Sequence, residues 1–145
     1  MKAFEPNTPR FEERVRESFA RQTLMKTINA HLSRVEPGFV AIEIPFRDDL
    51  AQQHGYLHAG IVTSVADTAC GYAALSLMPE DAEVLSVEFK INLLSPARGE
   101  KFIARAEVKR AGRNLTVCEA EVFAVNGDEE KLVAAMLATM MAIRH

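Results

Sequence analysis

The sequence predicts an α+β fold in which a single antiparallel β-sheet packs against a long, almost wholly apolar helix. One observation is the order of the candidate elements, which is helix, strand, helix and then four strands separated by short turns. A second is the alternation of apolar residues in the strand candidates, and a third is the apolar character of the middle helix on nearly every side. The chain has 145 residues. Domains most often have about 100–150 residues, so we expect one domain.

The composition is that of an ordinary compact domain. The chain carries 17 Lys and Arg against 20 Asp and Glu, a net charge of −3, so we expect no general attraction to nucleic acid or to anionic membranes. Its two cysteines, Cys70 and Cys118, form no paired motif, which is typical of a protein of the reducing cytoplasm. Residues 1–9 contain no apolar run, so we expect no secretory signal.

The first element is a helix predicted over Phe11–Ala30. Apolar side chains recur there at near-helical spacing with charged residues between them, and Thr8-Pro9 supplies a cap and a first turn. The apolar stripe indicates that this helix packs with that side against another apolar surface. We therefore expect residues 1–30 to form an N-terminal helical extension and residues 31–145 to form the main domain.

A strand, a polar loop and the middle helix follow. Phe39–Phe46 alternates after a Pro-Gly turn signal, which predicts a strand, and Arg47–Leu57 is polar. Ala59–Met78 is long and apolar enough to raise the question of a membrane span. Asp67 near its centre would cost about 2.5–3.5 kcal/mol in a bilayer, so we predict a helix buried in protein instead.

Four further strand candidates complete the chain. They are Leu85–Leu93, Phe102–Lys109, Leu115–Val125 and Lys131–Ile143. Strict alternation in the first of these places Ser86 on the face opposite to Phe89. The last segment is ambiguous, because its Ala, Leu and Met residues favour a helix, whereas a strand covered on both faces is also a continuous apolar run. We predict a strand there.

The loop before the middle helix delivers His58, Ala59 and Gly60 to the first helical turn. Backbone N–H groups in a first turn have no helical partner and lie at the positive end of the helix dipole, so they could polarise a carbonyl group as an oxyanion hole. The alternative is an ordinary loop-to-helix junction in which Gly60 permits close packing. His54 and His58 have a metal-pair spacing, but Gly55 and the lack of a clear third ligand argue against a metal.

Asp67 is the most informative residue of the middle helix. Aspartate is unfavourable inside a helix and is almost never buried without a partner. One structural explanation is that Asp67 caps a second helical segment that begins at Thr68. Another is a hydrogen bond donated by Thr63, Ser64 or Thr68. The functional explanation is a carboxylate that acts on a bound carbonyl compound.

A distance limits any joint action of Asp67 and the start of the helix. Asp67 lies eight positions beyond Ala59, which is about 12 Å along a helix axis. A carboxylate and an oxyanion hole acting on one carbonyl group must both lie about 3 Å from the reacting atoms. Two antiparallel helices from two subunits would meet this condition, so a working site of this kind requires a dimer.

Two segments resemble a known family. His58-Ala59-Gly60 with Asp67 nine positions after the histidine is similar to the His-Gly-Gly…Asp signature of the hotdog-fold acyl-CoA thioesterases, the PaaI-like group. The run Ser86–Ala97 resembles the strand that follows the central helix in that group. The resemblance extends from Phe39 to the C-terminus. It implies a hotdog fold, thioester hydrolysis without a cofactor, and a homodimer with a continuous sheet, often paired into a homotetramer.

The resemblance also implies a role for each residue of the motif. Asp67 would be the general base or nucleophile, and the N–H of Ala59 or Gly60 would hold the thioester oxygen. Gln52 stands where the family commonly has asparagine and would orient water or substrate. His58 would bind near the thioester, and Ser86 falls close to the active-site serine of some members. Ala59 replaces the first glycine of the signature.

The sequence also allows other interpretations. Four basic residues in turns would bind the coenzyme A phosphates, or are simply solvated hairpin tips: Arg98, Lys109, Arg110 and Arg113. Cys70 is more ordinary as a small apolar core residue than as a nucleophile. The alternative activities are a hotdog enoyl-CoA hydratase and a non-catalytic acyl-CoA-binding protein.

Overall fold

The computed structural model describes residues 3–144 of the chain. Its ten elements include three α-helices, six β-strands and one short 3-10 turn. The helices are α1 (Phe11–Ala20), α2 (Thr23–Thr27) and α3 (Ala59–Leu75), and the 3-10 turn is Asp48–Leu50. The strands are β1 (His31–Glu36), β2 (Phe39–Pro45), β3 (Ala82–Leu93), β4 (Lys101–Ala111), β5 (Leu115–Asn126) and β6 (Glu129–Arg144).

All six strands form one antiparallel sheet in the order β1-β2-β4-β5-β6-β3. The long helix α3 packs against the inner face of this sheet and contacts β2 to β6. The core lies between them, because α3 is apolar on most sides and the strands direct alternate side chains towards it. The predicted architecture, an antiparallel sheet on a long apolar helix, is confirmed. None of the helices in this part of the chain is long and apolar enough to cross a membrane.

The N-terminal region differs in detail from the single helix expected over Phe11–Ala30. The helix stops at Ala20, resumes as α2 and gives way to β1, a strand that the alternation rule does not reveal. In β1 only Leu32 and Val35 are buried, three positions apart, because the register with β2 shifts between Leu32 and Arg34. An irregular strand of this kind hides the period of two on which sequence analysis relies.

The last strand resolves the ambiguous apolar segment. The segment from Lys131 to Ile143 is part of β6, which pairs with β5 on one side and with β3 on the other. Its inward side chains alternate regularly and are buried: Ala134, Met136, Ala138 and Met140. The prediction of a strand is therefore confirmed. A strand in the middle of a sheet gains hydrogen bonds on both edges, which here outweighs a helix-favouring composition.

The N-terminal helix α1 is fastened to the far end of α3. The Arg14 guanidinium donates hydrogen bonds to the carbonyl oxygens of Met78, at 3.0 Å, and Pro79, at 2.8 Å, and a further one to Ala82. The Phe19 ring packs edge-on against Tyr72 of α3, with 6.0 Å between ring centroids. The division into an extension over residues 1–30 and a main domain over 31–145 stays a prediction.

Candidate active site

Asp67 lies in the middle of α3 and forms a hydrogen bond across to the sheet. The Ser86 hydroxyl on β3 donates to Asp67 Oδ1 at 2.6 Å. Since α3 is continuous through this position, Asp67 does not cap a second helix. The hydroxyls of Thr63 and Ser64 donate instead to helix carbonyl oxygens one turn earlier. The partner of this half-buried carboxylate is thus Ser86 on another element.

A β-bulge in β3 brings Ser86 to the helix side of the sheet. Ser86 lies opposite Met140 of β6, and Phe89 lies opposite Ala138, while one residue between them has no partner on β6. Because Met140 and Ala138 are both buried inward-facing residues, Ser86 and Phe89 share the inner face. The strict alternation expected from the sequence, with these two residues on opposite faces, is wrong. The bulge, at Val87, shifts the alternation by one residue.

Asp67 and Ser86 line a cavity of about 490 Å³. Its walls come from four parts of the chain: α3, the start of β3, Met140 of β6, and the N-terminal region that includes α1 and α2. A volume of this size is within the range of ligand sites in proteins, about 300–1,000 Å³. The N-terminal region therefore forms one wall of the cavity that contains the Asp67 carboxylate.

The first turn of α3 is capped by His58. The imidazole Nδ1 accepts a hydrogen bond from the Gly60 N–H at 2.8 Å, and the His58 carbonyl oxygen accepts from Ile61 and Val62. A Cβ at Gly60 would lie 3.0 Å from His58 Nδ1, so the glycine leaves room for the imidazole cap. Within residues 3–144 the Ala59 N–H has no acceptor. Of the two predicted oxyanion donors, Ala59 is the one with a free N–H.

Gln52 lies on the same side of the molecule as Ala59. Its Oε1 accepts hydrogen bonds from the backbone N–H groups of His54, at 2.5 Å, and Tyr56, at 3.2 Å, which holds the loop in a tight turn. Gln52 and Ala59 line a second cavity of about 200 Å³, whereas Asp67 lines the larger one. Within one chain the predicted site residues thus fall into two groups, separated by about 12 Å along the axis of α3.

The four basic residues predicted to bind coenzyme A lie in two separate places. The guanidinium of Arg98, before β4, lies over the Tyr56 ring at 5.3 Å from its centroid. Lys109, Arg110 and Arg113 lie at the opposite end of β4, where Lys109 pairs with Glu119 at 3.0 Å. The length of β4 separates these places by about 33 Å. The structure of one chain does not bring all four onto the same phosphate group.

The remaining candidate groups lack the surroundings that their chemistry needs. Cys70 and Cys118 are both buried, and burial raises the pKa of the Cys70 thiol well above its usual range and that of Cys118 to about 12. A thiol with a raised pKa is protonated at neutral pH and is a poor nucleophile. No group of three or more His, Cys, Asp or Glu side chains in the described part of the chain is placed to hold a metal ion.

An antiparallel sheet of six strands packed on one long helix is the hotdog fold. A thioesterase family protein from Silicibacter pomeroyi has this fold with a TM-score of 0.92 and 52% identity, over 93% of this chain and 99% of that one. The Escherichia coli PaaI protein, from the phenylacetic acid degradation operon, matches with a TM-score of 0.83 over 94% of this chain and 96% of its own, at 21% identity, which shows the fold alone.

The sequence comparisons agree with the structural ones. The profile of the thioesterase superfamily matches residues 54–131. The medium/long-chain acyl-CoA thioesterase YigI of Escherichia coli is 26% identical over 98 residues, which cover 59% of this chain and 61% of that protein. The chain belongs to the thioesterase superfamily, so the resemblance to hotdog thioesterases is confirmed. The roles of the individual site residues stay predictions.

Proposed function

We propose that this protein hydrolyses an acyl-CoA thioester to a free acid and coenzyme A, with the Asp67 carboxylate as the general base that activates water or as the nucleophile that attacks the carbonyl carbon. The observation that carries the proposal is the Asp67–Ser86 hydrogen bond on the wall of the larger cavity. Membership of the thioesterase superfamily supports the reaction type. The similarity to YigI supports a coenzyme A thioester as the substrate.

The arrangement of the two groups of site residues favours a site shared between two subunits. Two α3 helices side by side and antiparallel would place Asp67 of one chain near Ala59 and Gln52 of the other. β3 is the strand at one edge of the sheet, and it carries four exposed large apolar residues: Leu85, Val87, Phe89 and Leu93. An open edge with apolar side chains is unfavourable in water unless another strand or surface covers it. A homodimer formed along β3 meets both requirements.

Each residue then has a distinct task in the reaction. The thioester oxygen binds the Ala59 N–H, which stabilises the negative charge that develops on it. The Ser86 hydroxyl holds Asp67 Oδ1, so the other oxygen of the carboxylate is directed to water or to the carbonyl carbon. His58 keeps the helix start in shape through its cap. Gln52 lines the smaller cavity and contributes its Nε2 there, since its Oε1 accepts from the loop backbone.

The positions of the basic residues support a coenzyme A that binds at the surface of the protein. Arg98, close to the smaller cavity, is suited to a phosphate of a coenzyme A that enters on the Ala59 side. The cluster of Lys109, Arg110 and Arg113 serves a phosphate only if the second subunit brings it to that side. Charge-assisted contacts to exposed phosphates of this kind weaken as the salt concentration rises.

The test is release of free thiol from a panel of short, medium, long and aromatic acyl-CoA compounds. Asp67→Asn keeps the size of the side chain and removes its charge, so we expect release to be almost abolished. Asp128→Asn makes the same change in the exposed turn between β5 and β6 and should leave the rate unchanged. Turnover of Asp67→Asn at the wild-type rate would exclude Asp67 as the general base or nucleophile. Inactivity of the wild type on the whole panel would exclude acyl-CoA thioesterase activity.

The same panel separates the alternative activities. A hydratase would consume an enoyl-CoA, seen as a loss of absorbance, without releasing thiol. A non-catalytic binding protein would bind acyl-CoA in calorimetry without any turnover. Hydratase activity would need an aspartate paired with a histidine at the start of the helix. Asp67 lies about two turns into α3 instead and is hydrogen-bonded to Ser86.

A further inference from the structure

Gly71 lies in the second half of α3 and lines the cavity that contains Asp67. A glycine inside a helix destabilises it relative to alanine, and this one does not have a positive φ that would require glycine. A Cβ at Gly71 would have no atom of residues 3–144 within 4 Å, apart from its chain neighbours and the adjoining backbone of α3. The packing of one chain therefore does not explain the glycine, which points to a group from outside the chain in the space above it.

The position of Gly71 relative to Asp67 places that space next to the candidate site. Gly71 is four positions after Asp67, so it lies on the same face of the helix and about 6 Å further along its axis. A ligand that reacts at the Asp67 carboxylate and continues towards Tyr72 passes over Gly71 and can lie against the helix backbone there. We call this part of the cavity the Gly71 groove, and the residues that line it are Ser18, Arg21, Gln22, Gly71 and Tyr72.

The shared site proposed above decides which part of a thioester runs along the Gly71 groove. Its oxyanion donor is Ala59 of the other chain, whose α3 is antiparallel to this one. The loop before that second helix, with Arg98 of the other chain beside it, then lies next to the Tyr72 half of this chain's α3. A coenzyme that enters at that loop passes over Gly71, and the acyl group extends the opposite way.

The wall of the Gly71 groove has the chemistry of the pantetheine arm of coenzyme A. The Tyr72 hydroxyl accepts a hydrogen bond from Gln22 Nε2 at 3.0 Å and lies 3.1 Å from the Ser18 hydroxyl, so this wall is polar and uncharged. The pantetheine arm is also uncharged, and it carries amide and hydroxyl groups that donate and accept hydrogen bonds. A plain alkyl chain would desolvate such a wall without pairing its polar groups.

Arg21 adds a positive charge at the exposed rim of the groove. Within residues 3–144 its guanidinium has no hydrogen-bond or ion-pair partner, and this includes Glu83, which lines the same cavity. Guanidinium groups are well suited to phosphate oxygens, with which they form charge-assisted hydrogen bonds. An uncharged polar groove that ends at an unpaired arginine matches a pantetheine arm followed by the phosphates of the coenzyme.

We propose that the Gly71 groove holds the pantetheine arm of coenzyme A, with Gly71 as its floor and Arg21 as a contact to a phosphate group. The inference rests on the proposed acyl-CoA hydrolysis for the identity of the ligand and on the shared site for its direction. A side chain at Gly71 then weakens the binding of every coenzyme A compound, whatever acyl group it carries. Loss of the Arg21 charge weakens only the ligands that contain phosphates.

The experiment measures dissociation constants by calorimetry for non-hydrolysable thioethers. S-methyl, S-hexyl and S-octyl coenzyme A are compared with the corresponding S-alkyl pantetheines, which lack the phosphates. Gly71→Leu should weaken all of them by about tenfold or more, by the same factor for each alkyl group. Arg21→Gln should weaken the coenzyme A compounds by about fivefold at low salt and leave the pantetheines unchanged. Lys131→Gln, the same change of charge at an exposed residue outside the cavity, should alter neither.

A smaller substitution keeps the inference testable if Gly71→Leu does not fold. Gly71→Ala should raise the Tm, because alanine is the better helix former, and should still weaken both kinds of ligand by about threefold. Unchanged affinities in the variants of Gly71 and Arg21 would overturn the inference. An effect of Gly71→Leu confined to the longer alkyl groups would do the same, since the groove would then hold the acyl group. So would a loss of affinity in Gly71→Ala that accompanies loss of the dimer, since Gly71 would then serve the contact between subunits.

Failure of the proposed hydrolysis gives a different result from failure of this inference. If the affinities respond to both residues as expected but no acyl-CoA releases thiol, the hydrolysis is refuted and the coenzyme groove is supported. If thiol is released but neither substitution changes the affinities, the hydrolysis is supported and the coenzyme groove is refuted.

Discussion

Replacing Ala59 with proline is the sharpest perturbation of the candidate oxyanion hole, because it removes one N–H and little else. Ala59 is the first residue of α3, the position where proline is most readily accepted in a helix. The preceding residue, His58, has φ −60° and ψ 137°, a conformation compatible with a following proline. The Ala59 N–H has no acceptor within residues 3–144, so the substitution breaks no hydrogen bond of the folded chain. The fold should survive.

The expected decrease in kcat follows from the number of free N–H donors at the start of α3. Gly60 donates to His58 Nδ1, and Ile61 and Val62 donate to the His58 carbonyl oxygen, which leaves Ala59 as the free N–H of the first turn. Loss of one oxyanion donor typically lowers kcat by about 10²–10³, or about 2.7–4 kcal/mol of transition-state stabilisation. We expect a decrease of this size for Ala59→Pro.

The assay is thiol release under saturating acyl-CoA, with thermal unfolding measured on the same samples. Ala59→Gly retains the N–H and serves as the control, so it should keep a rate close to that of the wild type. The reasoning is refuted if Ala59→Pro has an unchanged Tm and a kcat within about twofold of the wild type, since the Ala59 N–H would then stabilise no charge in the transition state.

Three more predictions follow from the same structure. A mixture of inactive Asp67→Asn and inactive Ala59→Pro subunits should regain about a quarter of wild-type thiol release after subunit exchange if each site takes one residue from each chain; a mixture that stays inactive contradicts the shared site. Arg14→Ala removes the hydrogen bonds that fasten α1 to the carbonyl oxygens of Met78, Pro79 and Ala82, so chemical denaturation should show a loss of about 2 kcal/mol of unfolding free energy, with Arg10→Ala, whose guanidinium forms an exposed pair with Glu13, as the milder comparison. Cys70 and Cys118, with raised pKa values and buried sulfurs, should resist alkylation by iodoacetamide at pH about 8 and react fully once the chain is unfolded; rapid labelling of the native protein would contradict this.

Much of the fold is predictable from local pattern because the pattern and the packing agree. The alternating apolar residues of β2 and of β4 lie in the main core with the apolar helix α3, as the pattern predicts. Asp67 stands out because a carboxylate in such a helix conflicts with its surroundings, and conflicts of this kind are typical of functional positions. The partner of Asp67 could also be placed close to the site, through the resemblance of the run that begins at Ser86.

The parts that sequence analysis missed depend on irregularity. β1 buries Leu32 and Val35 across a register shift, and β3 changes face at a bulge. Neither event has a local signature, since a bulge is fixed by the strand alongside and not by the residues that form it. The wall that α1 and α2 contribute to the Asp67 cavity also has no local sequence signature. It depends on contacts between distant parts of the chain, such as Ser18 with Tyr72, which are 54 positions apart.

The neighbour of β3 in the sheet determines when the candidate site comes into existence. Among the strands of residues 3–144, β3 pairs only with β6, so Ser86 is held opposite Met140, a residue 54 positions later in the chain. During synthesis Asp67 and Ser86 are both added to the chain before β6, the strand that fixes Ser86. Pairing over such a separation forms late and slowly in folding. Until β6 pairs with β3, the Asp67 carboxylate is therefore present without the Ser86 contact that orients it. The candidate site can bind substrate only after this last strand has completed the sheet.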